Sequence, residues 1–284
     1  MKILILGATG MLGSTLLRLF HGHSNIDVFG TIRSPLAREM FSRDLHPQLV
    51  TGVDVESNEH LLRLMAKMRP DAVVNCIGLV KQLSESELPL AAIPINALLP
   101  HRLAEICGLF GARLIHISTD CVFSGKKGLY TETDFADADD LYGRSKYLGE
   151  IDYPHAVTLR TSIIGHELNG SRSLVSWFLA QHGQVCGFRR AVFSGLPTVE
   201  LGRVILEQVL PNSELHGLYH VSAEPINKFE LLKLLARHYR KNIEIIPKDD
   251  LVINRSLNSK KFRQATKFHP KSWDMMVQSM KEFG

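Results

Sequence analysis

Short runs of apolar residues alternate with segments of helical spacing along the first half of the chain. Near-continuous apolar runs, ILIL at 3–6 and AVV at 72–74, are typical of strands covered on both faces. The pattern predicts strands at 2–6, 27–32, 48–53, 72–76 and 113–118, and helices at 12–20, 59–67 and 100–110. Strands that alternate with helices of this length indicate βαβ units and a parallel sheet. Right-handed crossovers then favour a doubly wound α/β fold.

The second half of the chain is less regular. Its pattern predicts strands at 156–160, 218–221 and 244–246, and helices at 174–182, 199–209 and 228–240. The sequence contains no low-complexity linker between the halves and no internal repeat. We therefore expect one domain over 1–160, completed by about 196–223, and a smaller interleaved α/β lobe over 161–284.

Composition and charge exclude several classes of protein. Among 284 residues, 45% are apolar and 22% charged, which is ordinary for a globular protein, and a net charge of +4 is too small to favour nucleic acid. The apolar stretches are too short for a membrane span, and the N-terminal run is interpreted as a buried strand. Four cysteines without a CxxC pair suit reduced thiols in a cytoplasmic protein. The histidines show no ligand spacing, so no metal site is expected.

The first turn, GATGMLG at 7–13, has the spacing of a phosphate-binding turn. Gly7 permits a tight turn, Gly10 lets the backbone approach a pyrophosphate, and Gly13 allows close packing of helix on sheet. The N-terminus of the following helix offers free N–H groups to an anion. An ordinary turn is the alternative, which the strand–turn–helix context disfavours. The expected contacts of the cofactor are Gly7, Thr9, Gly10, Met11, Leu12 and Gly13.

The residues after the second strand bear on the choice between the two nicotinamide cofactors. A carboxylate there would bind a ribose 2′-hydroxyl, whereas an arginine accommodates a 2′-phosphate. This chain has Arg33 and Ser34 and no acid at that strand end, which favours NADP(H) over NAD(H). A solvated surface arginine is the alternative interpretation. Asp54 and Val55, after the third strand, are expected beside the adenine.

A tyrosine and a lysine are spaced for proton transfer. Tyr142 and Lys146 lie four residues apart in LYGRSKYLGE, so a helix places them on one face. A nearby ammonium stabilises phenolate and is expected to lower the pKa of Tyr142. The YxxxK spacing alone occurs often by chance. However, Ser118, Thr119 and Asp120 end a strand at the sheet edge where ligands bind, and a hydroxyl there can hold a carbonyl against the phenol.

Three motifs together, GATGMLG, ISTDCVFSG and YTETDFADADDLYGRSKYLGE, resemble the extended short-chain dehydrogenase/reductases, and most closely their dTDP-4-dehydrorhamnose reductase branch. The resemblance continues through LRTSIIG (159–165), SGLPTVEL (194–201), GLYHVSA (217–223) and KF…HPKSW (261–273), and so covers nearly the whole chain. It implies a Rossmann domain with a small sugar-nucleotide lobe. It also implies reduction of a nucleotide-linked 4-keto-6-deoxyhexose for polysaccharide precursors.

The resemblance also assigns roles to residues. Thr119 would polarise the carbonyl, Tyr142 would protonate the developing alkoxide, and Lys146 would tune Tyr142 and orient the cofactor ribose. Arg160, Thr161 and Ser162 are expected near the nicotinamide. Further positions expected to line the cofactor pocket are Asn75, Cys76, Ile77, Gly78 and Asn96. The expected contacts of the substrate are Lys81, Ser118, Thr119, Asp120, Cys121 and Trp177.

Two departures from the branch affect the expected substrate. Cys121 stands where an aromatic residue is common, and the loop CIGLVKQ brings Lys81 and Gln82 toward the sugar. The identity of the nucleotide and sugar therefore stays open. Trp177, with Arg189 and Arg190, would form a wall for base and diphosphate, or else a core aromatic beside solvated charges.

Two other functions fit the same scaffold. One is an epimerase or dehydratase, although Cys121 replaces the glutamate that dehydratases of this superfamily use after the Thr–Asp pair. The other is a regulatory subunit that binds cofactor without turning over substrate. The Thr119, Tyr142 and Lys146 set favours an enzyme over that subunit. The sequence leaves the oligomeric state open, a homodimer being one form.

Overall fold

A parallel sheet forms the centre of the chain, which a computed structural model describes over residues 1–81 and 83–284. Gln82 lies outside these residues. The strands, numbered along the described chain, are β1 (Lys2–Leu6), β2 (Asp27–Ile32), β3 (Leu49–Thr51), β4 (Ala72–Asn75), β5 (Arg113–Thr119), β6 (Ala156–Thr161), β7 (Ile163–Ile164), β8 (Gln184–Phe188), β9 (Ala191–Phe193), β10 (Leu196–Pro197), β11 (Gly217–His220), β12 (Ile226–Asn227), β13 (Glu244–Lys248) and β14 (Ile253–Asn254). In the described residues, seven of them form one sheet in the order β11-β6-β5-β4-β1-β2-β3.

Helices cover both faces of this sheet. They are α1 (Met11–His21), α2 (Asn58–Met68), α3 (Pro89–Ala92), α4 (Leu99–Phe110), α5 (Leu141–Leu148), α6 (Leu174–Ala180), α7 (Thr198–Val204), α8 (Lys228–His238), α9 (Lys260–Thr266) and α10 (Trp273–Phe283). A π-helical segment, Ile93–Leu98, joins α3 to α4, and another, Ile205–Val209, continues α7. Short 3-10 helices at Pro35–Met40, Arg43–Gln48, Ser84–Glu87 and Asp120–Val122 fill the connections.

The alternation of side chains along β1 shows why both faces are buried. Ile3 and Ile5 pack into the core that includes α1 and α7, whereas Leu4 and Leu6 pack into the core that includes α2 and α4. All four are at most 1% exposed. A strand with no polar face must lie between two layers of helices, as the apolar run predicts.

After β6 the described strands form small sheets of two or three strands, except for β11, which joins the large sheet. β8 pairs with β13, and β9 lies between β12 and β14, whereas β11 runs parallel to β6 at the edge of the large sheet. The C-terminal helix α10 is tied to distant segments. The Trp273 indole N–H donates to the Glu224 carbonyl oxygen (2.7 Å), and Arg18 donates to the Phe283 carbonyl oxygen (2.7 Å).

The predicted doubly wound α/β fold is confirmed. The predicted strands and helices of the first half lie within two residues of the observed ones. The helix predicted at 199–209 is α-helical only to Val204 and continues as a π-helix. The sequence pattern missed the helices α3, α9 and α10 and the short strands β7 to β10, β12 and β14. In the described part of the chain, no helix is long and apolar enough to cross a membrane.

Candidate functional site

The glycine turn between β1 and α1 has the backbone geometry that its spacing predicts. Gly7 adopts φ +84°, a left-handed conformation that favours glycine, and its N–H donates to the Thr31 hydroxyl oxygen (3.2 Å). A Cβ on Gly7 would stand 2.8 Å from the Ile77 side chain. A Cβ on Gly13 would stand 2.9 Å from the carbonyl carbon of Gly7. These glycines therefore let the helix start directly against the turn.

The start of α1 is open to an anion. Gly10 is the N-cap residue and no side chain caps the helix, whose first turn contains no acidic residue. A Cβ on Gly10 would meet no atom closer than 3.4 Å, so this side of the turn has room for a ligand. Thr9 and Gly10 are exposed, Met11 is half-buried, and Leu12 is buried. The free N–H groups and dipole of the helix fit the pyrophosphate of a dinucleotide.

The residues expected to choose the cofactor lie at the same edge of the sheet. Arg33 and Ser34 follow β2 directly and are exposed, and the Ser34 hydroxyl oxygen accepts a hydrogen bond from Leu36 N–H. Asp54 is exposed after β3, where its carboxylate accepts from Glu56 N–H (3.0 Å), whereas Val55 is buried. The exposed groups at the end of β2 are thus the Arg33 guanidinium and the Ser34 hydroxyl.

The loop after β4 is pinned above the sheet by two asparagines. The Asn75 carboxamide oxygen accepts from Ile77 N–H (3.1 Å). Asn96, which is fully buried, accepts from Leu79 N–H (2.9 Å) and donates to the Ser145 hydroxyl oxygen (3.3 Å). Burial raises the pKa of the neighbouring Cys76 thiol to about 12. The expected cofactor-lining segment is thereby attached to α5, the helix that carries Tyr142 and Lys146.

Lys146 and Gly78 lie next to each other at this loop. A Cβ on Gly78 would stand 3.8 Å from Lys146 Nζ. The ammonium donates to the carbonyl oxygen of Ile117 (2.9 Å), near the end of β5. Burial lowers the pKa of Lys146 to about 8, and Glu150 acts in the opposite direction. The helical spacing predicted for Tyr142 and Lys146 is present in α5.

The pKa of Tyr142 differs from the sequence expectation. Burial raises it above the ordinary value, the Thr119 hydroxyl lowers it, and Asp120 raises it further. The pKa of Tyr142 is thus raised and not lowered as expected, because burial outweighs the groups that favour the phenolate. Tyr142 therefore keeps its proton at neutral pH. The Thr119 hydroxyl oxygen accepts from Cys121 N–H (3.1 Å).

Asp120 and Cys121 face two cations that the sequence analysis did not identify, Arg255 and Lys228. Burial raises the pKa of Asp120 to about 6, and Arg255 acts in the opposite direction. Arg255 Nη1 lies 3.7 Å from Cys121 Sγ. Burial lowers the pKa of Lys228, and the charge of Asp120 raises it. No motif surrounds either cation, so only the fold brings them to the site.

Two predicted contacts have protein partners. The Ser118 hydroxyl is buried and donates to Glu150 (2.6 Å). Arg160 is 1% exposed and pairs with Glu150 instead of facing the nicotinamide. Both side chains are therefore engaged by Glu150, just after α5.

The other residues predicted to contact substrate, Lys81, Trp177 and Arg189, lie in different parts of the structure. Lys81 is half-exposed and its ammonium donates to Asp140 (2.6 Å) at the start of α5. Trp177 on α6 is half-buried and packs against the larger core. Arg189 pairs with Asp249 on the exposed surface. Among the described residues, no group of three or more potential ligands could hold a metal ion.

A turn open to pyrophosphate, beside a buried threonine, a half-buried tyrosine and a buried lysine at the carboxyl edge of a parallel sheet, defines an extended short-chain dehydrogenase/reductase. The model of the RmlD substrate binding domain family matches residues 1–282, and the chain belongs to this family.

Two relatives and one solved structure place the chain among similar proteins. The probable low-salt glycan biosynthesis reductase Agl14 of Haloferax volcanii is 32% identical over 58% of this chain and 54% of its own length. The chain thus spans about half the length of that relative. The methionine adenosyltransferase 2 subunit beta of Danio rerio is 29% identical over 83% of this chain and 73% of its own. The dTDP-4-dehydrorhamnose reductase of Bacillus anthracis, solved with NADP, has a TM-score of 0.79 at 22% identity, covering 99% and 98% of the two chains.

Proposed function

We propose that this chain is an NADP(H)-dependent reductase acting on the keto group of a nucleotide-linked 4-keto-6-deoxyhexose. The observation that carries the proposal is the combination of Thr119, Tyr142 and Lys146 at one end of β5 with the open glycine turn. A protein that only bound the cofactor would need no protonated phenol beside a buried hydroxyl. The glycan biosynthesis reductase from Haloferax volcanii supports a reductase in particular.

Thr119, Tyr142 and Lys146 each have a different role in ketone reduction. A reduced nicotinamide cofactor, held by its pyrophosphate at the glycine turn, would be the source of hydride. The Thr119 hydroxyl donates a hydrogen bond to the substrate carbonyl oxygen and polarises it. Tyr142, whose raised pKa keeps it protonated, gives its proton to the alkoxide that forms. The Lys146 ammonium stabilises the resulting phenolate and binds the cofactor ribose.

Arg255 and Lys228 are two further proposed substrate contacts, beside Asp120 and Cys121. Two cations near the reacting carbonyl suit an anionic substrate such as a sugar nucleotide, whose diphosphate needs charge compensation. Their attraction also offsets the charge of Asp120. Lys81 and Trp177 are kept as proposed contacts farther from the reacting atoms. An assay with a panel of nucleotide-linked sugars would identify the nucleotide and the sugar stereochemistry.

The preference for NADP(H) rests on Arg33 and Ser34. Both are exposed immediately after β2, whose end touches the glycine turn through the hydrogen bond from Ala8 N–H to the Thr31 carbonyl oxygen (2.9 Å). A guanidinium there can bind a 2′-phosphate with two parallel hydrogen bonds. The division into a cofactor domain over 1–160 with about 196–223, and a substrate lobe over the rest of 161–284, is part of this proposal.

A regulatory subunit is the second candidate function. It is favoured by one relative, the methionine adenosyltransferase 2 subunit beta, over most of the chain. Such a subunit would use the Rossmann fold to bind cofactor and a partner enzyme. The combination of Thr119, Tyr142 and Lys146 weighs against it, since a binding role places no demand on a proton donor.

The deciding experiment follows NADPH oxidation by the purified protein with a panel of nucleotide-linked 4-keto-6-deoxysugars. Oxidation with one sugar that Tyr142→Phe abolishes, while Tyr147→Phe on the same helix retains it, would support the reductase. NADPH binding without oxidation by any sugar would contradict it. Tightly copurified NAD(H) would then indicate an epimerase, and a stable partner protein would indicate the regulatory subunit.

A further inference from the structure

Behind the candidate site, a buried carboxylate joins the end of β5 to the end of α5. Glu150 follows α5, and its side chain is 8% exposed. One carboxylate oxygen accepts hydrogen bonds from the Ser118 hydroxyl (2.6 Å) and from Arg160 Nε (2.8 Å). The other oxygen accepts from Arg160 Nη2. Two parallel bonds from one guanidinium fix the orientation of the carboxylate as well as its position.

Arg160 is itself held on every side. Its side chain is 2% exposed and its guanidinium carbon lies 4.9 Å from the centre of the Phe123 ring. Nη1 donates to His220 Nε2 (2.9 Å), and His220 Nδ1–H donates to the Tyr130 carbonyl oxygen (3.0 Å). Burial, and then the charge of Arg160, lower the pKa of His220 to about 3. His220 is therefore neutral, and Glu150 balances the charge of Arg160.

The same carboxylate acts on Lys146. Glu150 lies four residues after Lys146, and Ser118, which donates to it, follows the Ile117 carbonyl that Lys146 binds. The titratable groups that face Lys146 from other elements are Cys76 after β4 and His116 on β5. Burial raises the pKa of Cys76 to about 12 and lowers that of His116 well below its ordinary value, so both are neutral near pH 7.

We propose that Glu150 is a positioning residue for Lys146: held by Arg160 and Ser118, it keeps the buried ammonium charged at the end of β5. A buried ammonium without a nearby negative charge loses its proton readily. Glu150 supplies that charge, and Arg160 prevents the carboxylate from turning toward Lys146 and closing a tight ion pair. Lys146 thus stays charged, and its ammonium remains available to the Tyr142 phenolate and the cofactor ribose. The effect on turnover rests on the proposed reductase function, whereas the effect on protonation does not.

The protonation state of Lys146 can be measured without cofactor or substrate. The full-length protein is labelled with ¹³C at lysine Cε, the Lys146 resonance is assigned through Lys146→Arg, and its titration is followed by NMR. Glu150→Gln is expected to move the midpoint to lower pH by about one unit, because a nearby opposite charge is removed. The matched control is Glu132→Gln. The Glu132 carboxylate accepts from the backbone N–H of His220 (2.8 Å), on the side of His220 away from Glu150 and Lys146 in the chain of hydrogen bonds. This variant should leave the midpoint unchanged.

Glu150→Gln leaves Arg160 as an unbalanced buried charge, which endangers folding. The double variant Glu150→Gln/Arg160→Met removes both charges, and it should fold while showing a smaller downward shift, because the opposing charge of Arg160 is lost as well. An unchanged midpoint in either folded variant overturns the proposal. Failure of both variants to fold would overturn it as well, because the pair would then be required by the fold and not by Lys146.

A kinetic measurement separates this proposal from the proposed function. In the reductase assay Glu150→Gln should lower kcat with little change in KM, and should move the alkaline limb of the pH profile down by about one unit. Glu150→Asp, which restores the charge, should recover part of the loss. If the wild-type protein reduces no sugar, the proposed function fails while the NMR titration still decides the role of Glu150.

Discussion

Lys146 donates a hydrogen bond from its buried ammonium to the carbonyl oxygen of Ile117, 2.9 Å away. Ile117 lies two residues before Thr119, so this bond sets the height of α5 against the end of β5. The pKa of Tyr142 is raised although this lysine lies one helical turn away. The ammonium is directed at the strand backbone, and Tyr142 responds chiefly to its own burial.

The charge of Lys146 should limit activity at alkaline pH. Its pKa is lowered to about 8 by burial, so the ammonium is present below that pH and is lost as pH rises through it. The reductase rate at saturating cofactor should therefore fall above about pH 8 in a pH–rate profile. Lys146→Arg carries a charge that does not titrate in this range, so its residual activity should lack this alkaline limb. An unchanged limb in Lys146→Arg would assign the fall to another group.

Arg33 should determine the preference for NADPH. Arg33→Ala removes a charged hydrogen-bonding group, and we expect NADPH affinity to fall by about 10- to 100-fold with little change for NADH. Fluorescence titrations of both cofactors measure the two affinities. Arg38→Ala is the matched control, because Arg38 is an exposed neighbour whose guanidinium donates to the His46 carbonyl oxygen. Equal losses for NADPH and NADH would contradict a role in binding the 2′-phosphate.

The parts of the site that depend on neighbouring residues were predictable from the sequence. The roles of Gly7 and Gly13 in the turn follow from backbone geometry within a few residues. The common face of Tyr142 and Lys146 follows from helix periodicity. The strand ending in Thr119 was predicted from its apolar run, although the bond of Ser118 to Glu150 depends on how α5 packs against that strand.

The parts that depend on distant residues were not predictable. Arg255 lies more than a hundred residues after Cys121, and nothing in its local sequence indicates the contact between them. The burial of Arg160 depends likewise on its bonds to Glu150 and His220. One omission was avoidable. The residues of α10 show helical spacing, buried at Trp273, Met276, Val277 and Met280 after the N-cap residue Ser272.

Asp140 should stabilise the helix that carries Tyr142. Its carboxylate accepts a hydrogen bond from Gly143 N–H (2.7 Å) as the N-cap of α5, and it also pairs with Lys81. Asp140→Ala should cost about 1 kcal/mol of unfolding free energy, which urea denaturation measures. Asp140→Asn keeps a capping oxygen and loses only a half-exposed ion pair, so it should stay near wild type. Equal destabilisation by both changes would assign the effect to Lys81 instead of the cap.

Asp120 should make the protein less stable as pH rises from about 4 to 7. Burial raises its pKa from 3.8 in the unfolded chain to about 6 in the folded one. The folded state therefore holds this proton more tightly, and the stability that it contributes is present below pH 3.8 and lost as pH rises through about 6. Asp120→Asn, which is neutral and similar in shape, removes this dependence.

The measurement for Asp120 compares urea denaturation of wild type and Asp120→Asn at several pH values. Relative to wild type, the variant should gain up to about 3 kcal/mol of unfolding free energy between pH 4 and 7, since one pKa unit corresponds to about 1.4 kcal/mol. Asp139→Asn, at an exposed position, serves as the control and should follow wild type. If the Asp120→Asn curve also runs parallel to wild type, Asp120 ionises normally, and Arg255 then compensates its charge fully within the folded site.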